Sequence, residues 1–397
     1  MPIPALCFAL LAAPLSAGHG PDDWPCWGGP AKNGVSREAK WSVKGAEKPL
    51  WTRAVGLGYS SVAVVGQRLF TLGYDPETEH DVLWCLDALT GEELWVHAWP
   101  AKLMDLYHGG GTLTTPTAAG EHVFVSEREG WLQCLKSADG ALVWQKNLAK
   151  ELELTIPQWG FSASPLLLGD ELVLNYGKVC GFDAKTGALR WQTERSYGDA
   201  YSTPTECTFA GQPALAVFGG TGLVLLAPRA GKELAFTPWK TQYDVNAMTP
   251  VVFEQRLFIS SGYERGCALL DLAGSAPAVV WENKVMKNQM SGALPWKEHL
   301  YGFDDKVLKC MDLSGKELWR ERGLGLGSLS IADGKLLIAS EEGELVVAEA
   351  DPAGYKELSR RPAVEGGICW TMPVLANGIV YVRNHAGELV ALDHRAR

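Results

Sequence analysis

The side chains best suited to hold a ligand stand in the short segments that separate repeated units of this 397-residue chain. They combine aromatic faces with a few amides and carboxylates, a mixture that could bind a flat ligand or a sugar. The candidates are Tyr107, His108, Gln158, Trp159, Asp199, Tyr201, Asp244, Asn246, Gln289 and Trp370. Asp199 and Asp244 could ligate a hard cation, but a six-ligand calcium shell needs more oxygen groups than we can assign. The alternative, which we favour, is that these are ordinary loop residues that satisfy turns and fill the end of a channel.

Other patterns that resemble reactive sites have structural explanations. His108 precedes three glycines, as in an esterase oxyanion-hole sequence, but no Gly-x-Ser-x-Gly nucleophile motif accompanies it. A flexible loop explains this segment better. The remaining histidines, His385 and His394, are isolated and need no metal. The paired carboxylates Asp304-Asp305 and Glu341-Glu342 lie at predicted hairpin turns, and we expect them to be solvated.

One short pattern recurs along the chain and predicts the elements that carry these residues. Each copy reads as the end of a strand, a tight turn and the start of the next strand. Asp87 or Asp183 can accept hydrogen bonds from turn amides, and Gly91 or Gly187 takes the left-handed conformation of a bulged hairpin. The copies are 85–95 (CLDALTGEELW), 134–144 (CLKSADGALVW), 181–191 (GFDAKTGALRW) and the shortened 310–319 (CMDLSGKELW).

The spacing of the copies predicts the architecture. The last residue of the pattern is Trp95, Trp144, Trp191, Phe236, Trp281 and Trp319 in successive units, and the distances between them are 49, 47, 45, 45 and 38 positions. Ser359 occupies the tryptophan position of the next unit, 40 positions further on. Periods of this length with four short strands are typical of propeller blades. Small polar residues and a proline precede several first strands, as suits inner strands that line a tapering channel. We predict blades at 60–99, 113–147, 161–193, 205–239, 248–283, 291–321 and 327–360.

The eighth blade has only three strands before the chain ends, at 371–375, 379–383 and 389–393. A lone strand at 50–54 supplies the missing outer strand and joins the two ends of the chain. The predicted fold is therefore an all-β, eight-bladed propeller of four-stranded antiparallel blades. Its cysteines at equivalent places in different blades are too far apart for disulfides, so we expect buried thiols.

Charge and the N-terminus restrict the function. A net charge of -10 without clustered Lys and Arg argues against a nucleic-acid or anionic-membrane binder.

Residues 1–18 contain an apolar run that is too short to span a bilayer and ends in small residues, which predicts an export signal. Cys7 lies inside that run and not after a lipidation pattern, so we predict no lipid anchor. The segment 19–48 follows the signal, and its tryptophans are expected to plug one end of the propeller, which occupies 49–397.

The pattern Leu-Asp-Ala-x-Thr-Gly-x-x-x-Trp at 86–95 and its counterpart at 182–191 resemble the repeat of pyrroloquinoline-quinone-type β-propellers, over residues 49–393. The turn-rich stretch 24–36 also resembles the head of exported quinoprotein-like propellers. Such propellers include quinone dehydrogenases, an outer-membrane-barrel assembly lipoprotein and many uncharacterised members. The resemblance implies, for the enzymes, an adjacent Cys-Cys pair over the cofactor and Glu, Asn and Asp ligands for calcium. This sequence has no Cys-Cys pair and no matching ligand set, so no catalytic residue carries over.

We therefore expect an exported, monomeric propeller without a cofactor, which binds a protein, peptide or glycan through its loop face. A redox protein that holds pyrroloquinoline quinone with calcium at the channel mouth is the alternative, and hydrolase or lyase chemistry has the least support. The sequence alone does not decide whether the chain is an enzyme, although the missing motifs favour a non-enzymatic role.

Overall fold

The computed structural model describes residues 19–396, so the predicted export signal lies outside the described part of the chain. The strands form eight sheets, seven of them with four strands and one with five. Neighbouring strands within each blade are antiparallel, and first strands of successive blades pack against one another around a central channel. The predicted eight-bladed propeller is confirmed.

The strands of each blade follow one another from the channel outwards. In blade one they are Ala63–Val65, Arg68–Asp75, His80–Asp87 and Glu93–Pro100, and in blade two Thr117–Ala119, His122–Ser126, Trp131–Lys136 and Leu142–Asn147. In blade three they are Leu166–Leu168, Glu171–Tyr176, Lys178–Asp183 and Leu189–Gln192. In blade four they are Thr205–Phe209, Gln212–Gly219, Gly222–Leu226 and Glu233–Pro238. A single helical turn, Leu148–Glu151, follows blade two.

The second half of the chain repeats this order. In blades five to seven the strands are Val251–Phe253, Arg256–Ser261, Gly266–Asp271 and Ala278–Asn283; Ala293–Trp296, His299–Asp304, Val307–Asp312 and Glu317–Glu321; Ser328–Ala332, Lys335–Ala339, Glu344–Glu349 and Glu357–Pro362. Blade eight contains Val374–Ala376, Ile379–Arg383 and Glu388–Asp393.

Two strands from the N-terminal part of the chain complete blades formed by its C-terminal part. Trp51–Ala54 pairs antiparallel with Glu388–Asp393, so the predicted closing strand is confirmed, although it begins at Trp51 and not at Leu50. Val35–Ser36 pairs in parallel with Ser328–Ala332 and gives blade seven its fifth strand. The sequence did not predict this second pairing, because two residues carry no detectable strand pattern.

The first strands begin later than the sequence predicted in several blades, at Thr117, Leu166 and Val251. In each case the strand starts immediately after the proline. The small polar residues before the prolines connect neighbouring blades instead of extending the strand. The amide of Ser61 donates to Thr115 Oγ1 (3.2 Å) and the amide of Thr115 to Ser164 Oγ (2.9 Å). The amide of Ser164 donates in turn to Thr203 Oγ1, at 3.0 Å.

The recurring turns have the predicted geometry. Asp87 Oδ1 accepts hydrogen bonds from the amides of Leu89 (2.9 Å) and Thr90 (2.8 Å), and Gly91 has a φ of 72°. Seven blades have a register shift between the third and fourth strands, which is the predicted bulge. The hairpin unit inferred from the repeat is therefore confirmed.

The tryptophan of the repeat holds each blade to the next one. A Cβ on Gly140 would lie 2.5 Å from the ring of Trp95, and a Cβ on Gly187 would lie 2.7 Å from Trp144. The turn glycine is thus needed for close approach as well as for its φ. The indole N–H groups also donate to a turn carbonyl of the following blade at 2.7–3.2 Å, in the pairs Trp51–Ala88, Trp95–Ser137, Trp144–Ala184, Trp281–Leu313 and Trp319–Asp351.

The N-terminal segment closes the end of the channel opposite the loops that precede the first strands. Trp24 is buried and forms a β-bridge with Val64, and the indole N–H of Trp27 donates to Thr249 Oγ1 at 3.2 Å. The predicted plugging role of these tryptophans is confirmed.

The eight cysteines of residues 19–396 are buried and unpaired, as expected. Within the same residues, no helix is long and apolar enough to cross a membrane.

Candidate functional site

A cavity of about 190 Å³ lies at the end of the channel where the interblade loops converge, and we call it the mouth cavity. Its wall is a ring of aromatic, small hydroxyl and apolar side chains. The lining residues are Trp27, Tyr59, His108, Leu113, Trp159, Ser162, Ser164, Tyr201, Thr203, Val245, Ala247, Thr249, Tyr263, Gln289, Met290, Trp370, Thr371 and Met372. None of these lining residues, all within the described part of the chain, is a carboxylate, lysine or arginine.

The aromatic side chains of the mouth cavity contact one another as a connected arc. The rings of Tyr59 and Trp370 are stacked, with centroids 5.4 Å apart and planes at 16°. His108 meets the edges of both Trp370 (6.4 Å) and Trp159 (6.0 Å), and Trp159 meets Tyr201 at 5.9 Å. The stacked rings of Tyr59 and Trp370 therefore form one wall, and the other rings stand at steep angles to their neighbours as separate walls.

Most polar hydrogens of these rings are already bonded to the protein. The indole N–H of Trp159 donates to the Leu106 carbonyl (3.2 Å), and that of Trp370 to Glu341 Oε1 (3.4 Å). The Tyr59 hydroxyl donates to the His108 carbonyl at 2.7 Å. The Tyr201 hydroxyl donates to Asp199 Oδ2 at 3.3 Å. Two wall hydroxyls outside the rings are also bonded: that of Ser162 donates to the Tyr201 carbonyl (3.0 Å), and that of Thr371 donates to the Tyr59 carbonyl (3.4 Å).

Burial keeps the titratable groups of the wall neutral at neutral pH. It raises the pKa values of the Tyr59 and Tyr201 hydroxyls well above their ordinary value of 10. It also lowers the pKa of His108 below 6.5, against the opposing effect of nearby Asp105. The mouth cavity therefore presents aromatic faces and oxygen lone pairs without a formal charge of its own.

The structure brings five of the ten sequence candidates into the mouth cavity and leaves five outside it. The five that line the cavity are His108, Trp159, Tyr201, Gln289 and Trp370. Tyr107, Gln158 and Asp244 are exposed on the loops around it, and Asp199 accepts the Tyr201 hydrogen bond from behind the wall. Asn246 is fully buried, where its amide bonds the Gly219 carbonyl (2.8 Å) and the Ser261 hydroxyl (2.6 Å).

A position rule could have found the lining residues that the sequence analysis missed. In seven blades the residue four places before the first strand, which is three places before the proline where one is present, lines the mouth cavity. These residues are Tyr59, Leu113, Ser162, Tyr201, Ala247, Gln289 and Trp370. Tyr59 begins the sequence Tyr-Ser-Ser-Val, and Tyr201 begins the similar sequence Tyr-Ser-Thr-Pro. Because the first sequence lacks the proline, the equivalence of Tyr59 and Tyr201 was not recognised. Trp27 and Tyr263 come from outside these loops and follow no repeat signal.

A second cavity of about 170 Å³ lies deeper in the channel, on the side of the N-terminal segment. Trp27, Thr249, Met290 and Met372 border both cavities. The indole of Trp27 thus forms part of the floor of the mouth cavity. This arrangement leaves one end of the channel accessible and fills the other with chain.

Two sequence expectations near this site were wrong. Asp304 was expected to be solvated but is buried, and its carboxylate bonds Lys309 Nζ at 2.6 Å. Glu341 is half-buried because it accepts hydrogen bonds from the Leu326 amide (3.1 Å) and the Trp370 indole. The flexibility of the loop that begins at His108 stays a prediction. The Tyr59 hydroxyl donates to the His108 carbonyl, and a ring nitrogen of His385 lies 3.1 Å from the Gly110 carbonyl oxygen.

Comparison with known proteins identifies the family. The family described as "Outer membrane protein assembly factor BamB" matches residues 79–306, which is more than half of the chain. The chain belongs to this family. A relative of that description from Burkholderia pseudomallei is 28% identical over 290 residues, covering 68% of this chain and 68% of that protein.

Solved structures with low sequence identity share the fold. BamB from Moraxella catarrhalis superposes with a TM-score of 0.65 at 13% identity, covering 87% of this chain and 99% of that one. A quinohemoprotein alcohol dehydrogenase from Pseudomonas putida has a TM-score of 0.66 at 11% identity, covering 97% of this chain and 83% of that one. At these identities the similarity establishes the propeller alone.

The residues of the mouth cavity do not fit a carboxylate-bearing quinone held on calcium. A calcium ion needs several carboxylate or carbonyl oxygens, and an anionic cofactor needs cationic or N–H donors. Within residues 19–396 there is no cluster of three or more metal-ligating side chains, and the lining has no cation. The indole and phenol donors named above are already bonded to protein oxygens. The wall suits a neutral or cationic ligand and not an anionic one.

Proposed function

We propose that this chain is an exported, non-enzymatic propeller that serves as an interaction scaffold and binds a partner protein at the mouth of its channel. The observation that carries the proposal is the accessible, uncharged aromatic cavity at the point where the loops of seven blades converge. Membership of a family described as an assembly factor supports a role in binding other proteins. No cofactor is part of this function.

The loops around the cavity extend the binding surface. They expose large apolar side chains, and exposed apolar patches of this kind mark interaction sites. Tyr107 is 88% exposed and Tyr243 is 55% exposed. Together with Ile156, Met290 and Ile368 they form a rim that we call the mouth face. A partner could cover this rim and insert a side chain into the cavity.

Two features of the mouth face favour recognition over catalysis. The wall of the cavity offers neither a nucleophile paired with a base nor a carboxylate pair, which acid–base or covalent catalysis requires. The buried cysteines cannot serve as nucleophiles either, since burial raises the pKa of Cys85, for example, to about 12. Aromatic anchors in a dry pocket with an apolar rim are instead the features of a binding hot spot.

Site-specific photocrosslinking tests the proposed surface. A benzophenone amino acid would replace Tyr107 or Tyr243 on the mouth face, and Leu94 on the exposed outer strand of blade one would serve as the matched control position. We expect both mouth positions to capture the same envelope protein in the native host, identified by mass spectrometry, and Leu94 not to capture it. Capture from Leu94 alone, or from no position, would contradict the proposal.

Export has a separate test. N-terminal sequencing of the mature chain purified from the native host should find its first residue near Gly18, because the small residues Ser16 and Ala17 precede it. Recovery of a chain that still begins at Met1 would contradict export through this signal.

A further inference from the structure

Several rings elsewhere in the propeller have one of its own cations over a face. Arg265 lies 3.4 Å from the centroid of the Trp239 ring, and Arg195 lies 4.6 Å from that of Phe236. In the part of the chain that the structure describes, none of the cation–π pairs involves a ring of the mouth cavity. These π faces are available to a group from outside.

The hydrogen-bond inventory of the wall sets the sign of that group. Because Trp159, Trp370, Tyr59 and Tyr201 donate their N–H or O–H hydrogens to protein oxygens, they offer the cavity ring faces and lone pairs. The Ser162 hydroxyl likewise donates to a backbone carbonyl and leaves its lone pairs free. A ligand that donates hydrogen bonds or carries positive charge satisfies these atoms, whereas an anion would depend on the side chains of His108, Tyr263 and Gln289 for donors.

Carboxylates accept hydrogen bonds from two of the rings. Asp199 accepts the hydrogen bond of Tyr201, and Glu341 accepts that of Trp370. Asp105 lies on the loop that carries His108 and acts on the titration of both Tyr59 and His108. Hydrogen bonding to a carboxylate makes a phenol or indole ring more electron-rich. Lys306 Nζ lies 3.5 Å from a Glu341 carboxylate oxygen and offsets its charge, so the negative potential at the uncharged cavity comes from Asp199 and Asp105.

We propose that the mouth cavity is an aromatic cage that receives the cationic side chain of an arginine or lysine from a partner protein. Walls at steep angles to one another surround such a head group on several sides, which is the arrangement that recognises organic cations. The hydroxyl lone pairs of Ser162 and Thr371 accept its N–H groups. The inference rests on the proposed function, since it specifies which residue of the partner the mouth face selects.

A pair of peptides that differ only in charge tests the cage. The probes are acetyl-Gly-Gly-Arg-Gly-Gly-amide and the same peptide with citrulline, which keeps the shape of arginine but is neutral. Titration of the full-length mature protein, followed by calorimetry or tryptophan fluorescence, should give a Kd about tenfold lower for the arginine peptide. Equal affinities, tighter binding of the citrulline peptide, or no binding of the arginine peptide at millimolar concentration would overturn the proposal.

Matched variants locate the site. Trp370→Leu removes one wall and should weaken binding of the arginine peptide about tenfold, whereas Trp296→Leu, at the opposite end of blade six, should leave it unchanged. Asp199→Asn should weaken it about threefold at low salt and less at high salt. Equal loss in both tryptophan variants would overturn the assignment to the mouth cavity. The comparison of the two peptides on unmodified protein decides the charge preference even if a variant fails to fold.

The two proposals can fail separately. If the mouth positions crosslink a partner but the arginine peptide neither binds nor competes with the crosslink, the scaffold function stands and the cage is wrong. If the peptide binds with the predicted charge preference but no mouth position crosslinks a protein, the cage stands and the protein-scaffold function is wrong. The crosslinking positions Tyr107 and Tyr243 lie outside the cavity wall. The Tyr243 ring packs against the wall residue Tyr263, so Tyr107 is the position that leaves the cage untouched.

Discussion

Two junctions between blades show how differently the same contact can be made. At the junction of blades eight and one, Trp51 covers Gly91, and its indole N–H donates to the Ala88 carbonyl at 3.1 Å. The Tyr381 hydroxyl donates to the same carbonyl at 3.0 Å. The junction that closes the ring thus uses the standard tryptophan of the repeat, although this tryptophan comes from the other end of the chain.

The junction of blades seven and eight has no such tryptophan. Ser359 takes its place, and its hydroxyl donates to the Val43 carbonyl of the N-terminal segment at 3.0 Å. Arg361 also donates to the Glu47 carbonyl at 2.6 Å, and Glu38 accepts the amide of Gly378 at 2.8 Å. A non-repeating segment therefore replaces the repeated contact where the side chain is too small to make it.

A buried arginine adds to the closing junction. Arg383 of blade eight donates to the carbonyls of Ser60 (2.9 Å), Gly56 (2.8 Å) and Leu72 (2.5 Å) of the opening part of the chain. The structure shows no carboxylate bonded to it, and burial lowers its pKa to about 9. In contrast, buried Arg128 pairs with Asp81 at 2.6 Å. At the closing junction, backbone carbonyls and not a carboxylate stabilise the Arg383 charge. The guanidinium can make these bonds only when the backbones of blades eight and one are in this arrangement.

Deleting residues 19–53 should have the largest effect, because it removes both the closing strand and the segment that replaces the missing tryptophan. The loss would exceed the roughly 5–15 kcal/mol that stabilises a typical domain, so we expect no cooperative melting transition by circular dichroism. A synthetic peptide of residues 36–56 added in trans should restore part of the transition, since it carries the strand Trp51–Ala54. An unchanged melting curve after the deletion would contradict the closure.

The contrast between these junctions also explains what the sequence could predict. The hairpins, the blade number and the closing strand followed from Asp87, Gly91, Trp95 and their repeats, because repeated residues report repeated local geometry. The pairing of Val35–Ser36 and the contacts of Arg383 could not be predicted, because they occur once and depend on residues far apart in sequence. The mouth cavity is intermediate. Five of its ten proposed residues line it, but the sequence does not show that Asn246 is instead buried in a hydrogen bond to the Gly219 carbonyl.

Truncating the repeated tryptophan should distinguish the closing junction from an internal one. Trp51→Ala should cost about 3–5 kcal/mol, as expected for removing a large buried aromatic side chain. Trp144→Ala, the matched control in blade two, should cost less because Trp144 is only partly buried and its strand is held covalently at both ends. Urea unfolding measures both changes. Hydrogen exchange should rise across Trp51–Ala54 in the first variant alone.

Equal destabilisation by Trp51→Ala and Trp144→Ala, without faster exchange in the closing strand, would mean that closure is no weaker than an internal junction. The pairing of Trp51–Ala54 with Glu388–Asp393 would then hold the ring without the docked indole.

The smallest effect should come from the carboxylate at the junction of blades seven and eight, and it should depend on pH. Burial raises the pKa of Glu38 from its ordinary value of 4.5 to about 7, although the hydrogen bond that its carboxylate accepts from the Gly378 amide acts in the opposite direction. The folded state therefore binds this proton more tightly than the unfolded state does. Ionising Glu38 costs stability progressively as the pH rises from 4.5 to 7, and the full cost remains above pH 7.

Glu38→Gln keeps the shape and the bond to Gly378 but removes the charge. We expect the variant to be more stable than the parent by about 1–3 kcal/mol at pH 8 and by nearly nothing at pH 4.5, measured by urea unfolding at both values. Buried Asp81 and Glu127 titrate in the same range, and the comparison with the parent at each pH cancels their contribution. A stability difference that is the same at both pH values would show that Glu38 contributes by packing and not by its charge. The N-terminal segment would then replace the missing tryptophan at this junction by shape alone.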